Sequence, residues 1–316
     1  MSQCLVCGST AGKTHVAREM MFGTREEFMY FECAGCGCLQ LATLPADLGK
    51  YYGDCYYSFS PVELSRSFCR AWARRFLTAG EIFGIRGLRW IRRYRSGRSA
   101  HLESLACLRL KCGMKVLDVG CGTGHALYLL RELGFKAEGI DPYLREDATD
   151  EYGVRVRRLE LGEVHGQWDV IMFHHSLEHM PGHREILGSV RNRLAPDGRC
   201  LIRIPVADYA WRTYGVDWVQ LDAPRHLILH TAESFHQLAR QSGFAVELFY
   251  CDSDAFQFWG SELYKRNVPL RQGGAHLFSA SELKRFKIAA AALNQKRAGD
   301  QAVFVLRRST TLDGEL

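Results

Sequence analysis

The residues best suited to chemistry in this chain lie in the stretch Met114-Lys115-Val116-Leu117-Asp118-Val119-Gly120-Cys121-Gly122-Thr123-Gly124. An apolar run of strand type leads straight into three glycines and then into the helical pattern His125–Leu133. Glycines at such a turn let the backbone bend sharply and approach a ligand with no Cβ in the way. The start of the helix behind them presents free amides to a carboxylate or phosphate. Asp141 closes the next apolar run, Ala137-Glu138-Gly139-Ile140-Asp141, 21 residues after Gly120. A carboxylate there can accept hydrogen bonds from both hydroxyls of a ribose.

The spacing discriminates between nucleotide cofactors. A dinucleotide fingerprint needs G-x-G-x-x-G/A, and its third small position is occupied here by His125. The phosphate-binding pattern G-x-x-x-x-G-K-[ST] is absent. The pattern Asp118-x-Gly120-x-Gly122-x-Gly124, followed by Asp141, points instead to S-adenosylmethionine. Cys121 and Thr123 lie inside the bend, where the Cys121 backbone matters more than its sulfur.

A second group has metal-ligand spacing. Cys4-x-x-Cys7-Gly and Cys33-x-x-Cys36-Gly are matching units, and together they predict a tetrahedral four-thiolate zinc site. A closed sulfur shell leaves no position for water, so the ion is expected to be structural. Cys38 and His15 are alternatives for one ligand, and the other seven cysteines read as core thiols.

These groups must be held by elements readable as hydrophobic pattern. Strands are predicted at 114–119, 136–141, 154–158, 168–174, 199–204, 244–250 and 302–308, with helices near 124–133, 183–194 and 231–242. Pro196-Asp197-Gly198 reads as a turn feeding the fifth strand. Alternating strands and helices mean βαβ units around a doubly wound parallel sheet, with ligands at the carboxyl ends of the strands. The expected layout is a zinc-ribbon module over 1–50, an aromatic and arginine-rich helical segment over 51–110, and the α/β domain over 111–316 with an insertion at 251–301.

Composition narrows the setting. The chain is 47% hydrophobic and 24% charged, ordinary for a globular protein, and no apolar run reaches membrane-spanning length. The N-terminus does not read as a signal peptide, so clustered cysteines fit a reducing cytoplasm. The net charge of +6 is concentrated: residues 63–98 hold ten arginines against Glu63 and Glu81. Arginines interleaved with Trp72, Phe76, Phe83 and Trp90 are foremost a solvated face on packed helices. The competing readings are a peripheral helix at the inner membrane face and attraction of nucleotide or nucleic acid.

Over roughly residues 110–250 the chain resembles the class I S-adenosylmethionine-dependent methyltransferases. The resemblance rests on the glycine bend with Asp141, the run Trp168–His179 and the turn Leu194-Ala195-Pro196-Asp197-Gly198, where Asp197 replaces a family glycine. It implies a Rossmann-like seven-stranded sheet ordered 3-2-1-4-5-7-6. It also implies that Gly120, Gly122 and Gly124 line the methionine moiety, Asp141 the ribose, and Arg158 and Leu159 the adenine, with His175 beside the cofactor and Asp118, Cys121, Thr123 and Pro142 among the cofactor-binding residues. The run Cys33–Leu41 and then Tyr56-Tyr57-Ser58-Phe59-Ser60 is similar to the zinc-containing sugar methyltransferases. The insertion 252–264 looks like methyltransferases of surface-polysaccharide clusters.

Methyl transfer requires an acceptor held in line and, where needed, a base for its proton. Asp222-Ala223-Pro224-Arg225-His226-Leu227 looks like the base-bearing segment of the sugar enzymes, which makes His226 the expected base. An ordinary imidazole titrates near pH 6.5 and accepts a proton at neutral pH. His179 with its neighbour Glu178 is the second candidate. Tyr56, Tyr57, Trp218, Asp222 and Arg225 are candidates to contact the acceptor. The resulting expectation is a cytoplasmic enzyme, peripheral at the inner membrane face if residues 63–98 touch lipid, that methylates a nucleotide- or lipid-linked saccharide. Its rivals are an rRNA or tRNA methyltransferase, an O-methyltransferase resembling those of quinone biosynthesis, and a scaffold that binds the cofactor without turnover. His174-His175-Ser176-Leu177, in place of Asn/Asp-Pro-Pro-Tyr, argues against exocyclic base amines as acceptors.

Overall fold

The computed structural model describes residues 3–52, 75–76, 78–80, 82–83, 100–149 and 153–309. Tyr56, Tyr57 and most of the arginine-rich segment lie outside the described residues.

The larger sheet is α/β and mostly parallel. Its strands are β4 (Lys115–Val119), β5 (Lys136–Ile140), β6 (Ala148–Thr149), β7 (Arg155–Arg157), β8 (Trp168–His174), β9 (Leu194–Pro205), β11 (Phe244–Cys251) and β12 (Gln301–Arg308). They are ordered β11-β12-β9-β8-β4-β5-β7-β6. Parallel pairing joins β9 to β8, β8 to β4, β4 to β5 and β5 to β7, while β6 is antiparallel to β7. Strands covered on both faces are rich in buried apolar residues, as Val116, Leu117 and Val119 are on either side of the buried Asp118. The short β6 is an eighth strand with no counterpart in the sequence reading. Two exposed residues carry no pattern to announce it.

β9 also begins earlier than expected, at Leu194, and absorbs the Pro196-Asp197-Gly198 turn. Leu194 pairs with Trp168, and the register shifts between Trp168 and Val170, so the turn residues become an irregularity within an extended segment. Gly198 is needed there, because a Cβ would lie 2.9 Å from the Trp168 carbonyl.

The smaller sheet contains β1 (Gly12–Arg18), β2 (Glu27–Cys33), β3 (Leu39–Leu41) and β10 (Ile228–Leu229), in that order. Buried Ala17, Tyr30, Leu39, Trp218 and Leu229 form the core against it. The helices include α1 (Ala100–Leu105), α2 (His125–Glu132), α3 (His183–Arg193), α4 (Tyr209–Tyr214), α5 (Ala232–Gln241), α6 (Phe256–Lys265) and α7 (Ala280–Gln295). Thr231 caps α5 through a hydroxyl 3.0 Å from the Ser234 amide, and Ser279 with Glu282 forms a capping box on α7. The chain divides into two compact units. One comprises 1–54, 177–185 and 204–304, and the other 55–176, 186–203 and 305–316.

Candidate functional site

In the second unit, β4 delivers the chain into the glycine bend. Gly120, Gly122 and Gly124 have φ of 74°, 53° and 79°, backbone that glycine adopts without strain. The bend is tied to β5 by the amides of Gly120 and Cys121, which donate to the Ile140 carbonyl at 2.8 and 3.2 Å. A Cβ on Gly124 would come within 2.9 Å of Val156, and one on Gly139 within 2.4 Å of the Cys121 sulfur. The helix α2 starts directly after Gly124, which serves as its N-cap.

Asp141 is buried, and its two oxygens accept from the Gly122 amide at 3.1 Å and the Tyr143 amide at 2.9 Å. Each oxygen keeps a further lone pair for a ligand hydroxyl. Burial raises its proton affinity, and the two amides oppose that rise. Asp118, also buried, is pushed up to about 7, by burial first and then by the charge of Asp141. Two buried carboxylates beside a glycine bend suit a ligand that carries positive charge.

The raised Asp118 has a consequence for stability. Its proton affinity is higher in the folded chain, so ionising it there costs free energy as pH rises from about 4 toward 7. The Asp118→Asn variant without ligand is expected to lack this loss. Denaturant melts at pH 5 and pH 8 check this: wild type should lose on the order of 1–3 kcal/mol more than the variant between the two.

At the carboxyl end of β8, His175 has φ 52°, an uncommon conformation for a residue with a side chain. Its amide donates to the Arg203 carbonyl at 2.9 Å, and its Nε2 lies 2.6 Å from the Arg203 guanidinium. Ser176 donates its hydroxyl to the Val119 carbonyl at 2.6 Å, joining this turn to the end of β4. Pro142 is half-buried and Arg158 is exposed, with the Arg158 amide 2.7 Å from Asp147. Leu159 is half-buried beside it, its amide bonded to the Arg157 carbonyl.

In the first unit, a one-turn element, Leu177–His179, carries Glu178 and His179. The His179 and His226 rings meet edge to face at 4.7 Å. Ligand atoms of Glu178, His179 and His226 all lie within 4.8 Å of one another. His226 is 5% exposed, and its Nδ1 lies 2.7 Å from the Gln220 carbonyl. A carbonyl can only accept, so Nδ1 carries the proton and Nε2 keeps its lone pair. His179 Nδ1 lies 3.0 Å from the Arg225 carbonyl and 3.2 Å from the Tyr52 hydroxyl. Burial first, then the nearby His226, push the His179 imidazole down to about 4.

Asp222 has one oxygen 3.9 Å from His226 Nε2. Burial works against its charge, but Arg225 prevails and holds the carboxyl down at about 2. Arg225 is fully buried, donating to Asp222 at 2.9 Å through Nε and 2.5 Å through Nη2, to the Tyr51 carbonyl at 2.8 Å, and to Glu19 at 3.3 Å. Trp218 is fully buried and donates its indole N–H to Asp300 at 3.0 Å. Arg225 and Trp218 are therefore internal groups. The alternation of aromatic and charged residues suggested acceptor contacts, and only the packing shows where these two point. Glu19 is the participant that sequence reading missed: a lone glutamate in Arg18-Glu19-Met20-Met21 carries no motif.

Also in the first unit, the sulfurs of Cys4, Cys7, Cys33 and Cys36 all lie within 4.8 Å of one another, with Cys4 to Cys36 at 3.5 Å and Cys7 to Cys33 at 3.4 Å. Both knuckles close alike, Gly8 on the Cys4 carbonyl and Gly37 on the Cys33 carbonyl, each at 2.9 Å. Both glycines have positive φ, 76° and 72°. His15 is engaged elsewhere, 2.7 Å from Glu32 and edge-on to Trp211. Cys38 is fully buried, with its thiol on the Leu39 carbonyl.

The chain belongs to the methyltransferase-domain family, whose model matches residues 91–248, half of the 316 residues. It is a methyltransferase. No curated protein matches by sequence. Similar solved structures include the 1,6-didemethyltoxoflavin-N1-methyltransferase of Burkholderia thailandensis, at 17% identity, with 79% of this chain and 94% of that one covered and a TM-score of 0.42. Another is an S-adenosylmethionine-dependent methyltransferase from Mesorhizobium loti, at 18% identity, 65% and 97% coverage and a TM-score of 0.41. A third is the cyclopropane synthase MmaA2 from Mycobacterium tuberculosis, at 14% identity, 67% and 87% coverage and a TM-score of 0.40.

Proposed function

We propose that this enzyme methylates a sugar-containing acceptor, nucleotide- or lipid-linked, with His226 taking the acceptor's proton. The observation that carries the reading is the Nδ1–H of His226 held on the Gln220 carbonyl, which leaves a buried Nε2 lone pair ready to accept. The resemblance of Asp222–Leu227 and of the Cys33–Leu41 run to the zinc-containing sugar methyltransferases supplies the acceptor class. His179, with its neighbour Glu178, is the second candidate to take the proton.

On the cofactor side, Gly120, Cys121, Gly122, Thr123 and Gly124 would hold the methionine end beside Asp118, Asp141 and Pro142 the ribose, and Arg158, Leu159 and His175 the rest of the adenosyl group. Bound there, S-adenosylmethionine supplies an electrophilic methyl on a sulfonium. The chain's own part is to hold both reactants, keep Asp141 ionised and receive a proton at His226. An assay that reads S-adenosylhomocysteine release tests the acceptor class, using a panel of nucleotide-linked sugars, tRNA and quinol precursors. Turnover with a nucleotide sugar is expected; turnover with tRNA or quinol alone overturns the reading.

The four-cysteine cluster is proposed to hold one structural Zn2+ in a module over 1–50, ahead of a helical segment over 51–110 and the catalytic region over 111–316. Sulfurs this close, on two knuckles of equal geometry, fit a tetrahedral thiolate shell. Purified protein should carry about one zinc per chain by elemental analysis. Cys33→Ser should release it and lower the melting temperature by more than about 5 °C. Metal-free wild type with an unchanged melt would refute the assignment. The proposed setting is cytoplasmic; among the described residues no helix is long and apolar enough to cross a membrane. Contact of residues 63–98 with lipid remains part of the same proposal.

A further inference from the structure

Glu19 is 0% exposed, and its carboxylate is saturated with donors. One oxygen accepts from the Phe22 amide at 2.9 Å and from both terminal nitrogens of Arg225 at 3.3 Å. The other accepts from the amides of Gly23 at 2.9 Å and Thr24 at 3.0 Å, and from the Thr24 hydroxyl at 3.3 Å. The loop that offers these amides is itself fixed. Gly23 has φ 86°, and a Cβ there would meet Pro269 at 2.5 Å. The arrangement is a rigid seat for one buried charge.

Arg225 joins that charge to a second one, on Asp222. A carboxylate, a guanidinium and a carboxylate sum to one negative charge, and the open end of the chain, Asp222, faces His226 Nε2. A buried net charge is costly unless something nearby answers it. The group placed to answer is the imidazolium that forms when His226 accepts a proton.

We propose that Glu19 is a positioning residue for the transfer reaction: acting through Arg225 and Asp222, it supplies the negative charge that stabilises protonated His226. The kinetic part of this inference rests on the reading of His226 as base, whereas its electrostatic part does not. The other groups facing His226 are the His179 ring, the Glu178 carboxylate and the Gln220 carbonyl on Nδ1; the Tyr30 hydroxyl donates to the His226 carbonyl at 2.8 Å. Tyr52 acts one step away, on His179. Glu19→Gln changes the formal charge of none of these groups and removes one charge from the chain that ends at His226.

The experiment is a proton NMR titration of the full-length zinc-loaded protein, with the His226 signal assigned by its absence in His226→Gln. In Glu19→Gln the midpoint of the His226 titration should move to lower pH by roughly 0.5–1 unit, the reach of one charge at an effective dielectric near 20. Glu19→Asp keeps the charge and should restore the midpoint. If Glu19→Gln does not fold, the Glu19→Gln/Arg225→Gln double variant, where no guanidinium is stranded, is compared with Arg225→Gln alone, and the shift there should fall clearly below that range because the link to Asp222 is gone. An unmoved midpoint in Glu19→Gln, or an undiminished shift in the Arg225→Gln background, overturns the proposal. The acid limb of kcat/KM should follow the NMR midpoint. A midpoint that moves under an unmoved acid limb leaves the charge chain standing and removes His226 from the base role.

Discussion

His226→Ala is expected to bind S-adenosylmethionine with wild-type affinity and to lose between about 10² and 10⁴ in kcat, the span that a positioned general base contributes. Deleting the ring removes an imidazole whose Nδ1–H is spent on the Gln220 carbonyl and whose Nε2 is left to accept. It also exposes a choice between two acceptors. His179 stands 4.7 Å away, but burial and His226 keep its proton affinity low, so it is a poor replacement at neutral pH. The substitution leaves the glycine bend and Asp141 untouched, so a parallel loss of cofactor affinity would mean a misfolded variant. Retention of full turnover would place the proton elsewhere. His226→Gln serves as a second probe, because an amide fills the buried space without accepting a proton under these conditions.

Asp141→Ala is expected to weaken S-adenosylmethionine binding by about 10²-fold or more in calorimetry, with turnover lost at any practical concentration. Two contributions combine. The variant loses the charged acceptor proposed for the ribose hydroxyls. It also frees the Gly122 and Tyr143 amides that the carboxylate now holds, at 3.1 and 2.9 Å, and so loosens the bend itself. Asp141→Asn separates them, since its side-chain oxygen can still take one amide while the charge is gone. An intermediate affinity is expected for it. The pair also bears on Asp118, which is raised partly by the charge of Asp141. In both variants Asp118 should ionise at a lower pH than in wild type. Unaltered affinity in Asp141→Ala would remove this carboxylate from the cofactor site.

Much of this was readable in the residues because the physics is local. A glycine bend announces itself, since positive φ at three alternate positions is cheap only for glycine. The strand β4 reads as an apolar run because both faces are covered. The cysteine knuckles are equally plain, for C-x-x-C-G encodes its own turn. What the pattern hid depends on contacts far apart in sequence. Glu19 meets Arg225 across 206 positions, and no spacing rule reaches that distance. Arg225 and Trp218 looked like acceptor contacts because charged and aromatic residues near a ligand-binding edge invite that reading, yet both are fully buried. The Pro196-Asp197-Gly198 turn lies within β9, between the Leu194–Trp168 and Arg199–Val170 pairings with β8.

A crystal structure of the protein with S-adenosylhomocysteine tests the central claim most directly. The account requires the amino-acid tail to lie along Gly120–Gly124 and the ribose hydroxyls to rest on the Asp141 carboxylate. Adenosyl density at any other place, with that bend filled by the protein's own side chains, would contradict it.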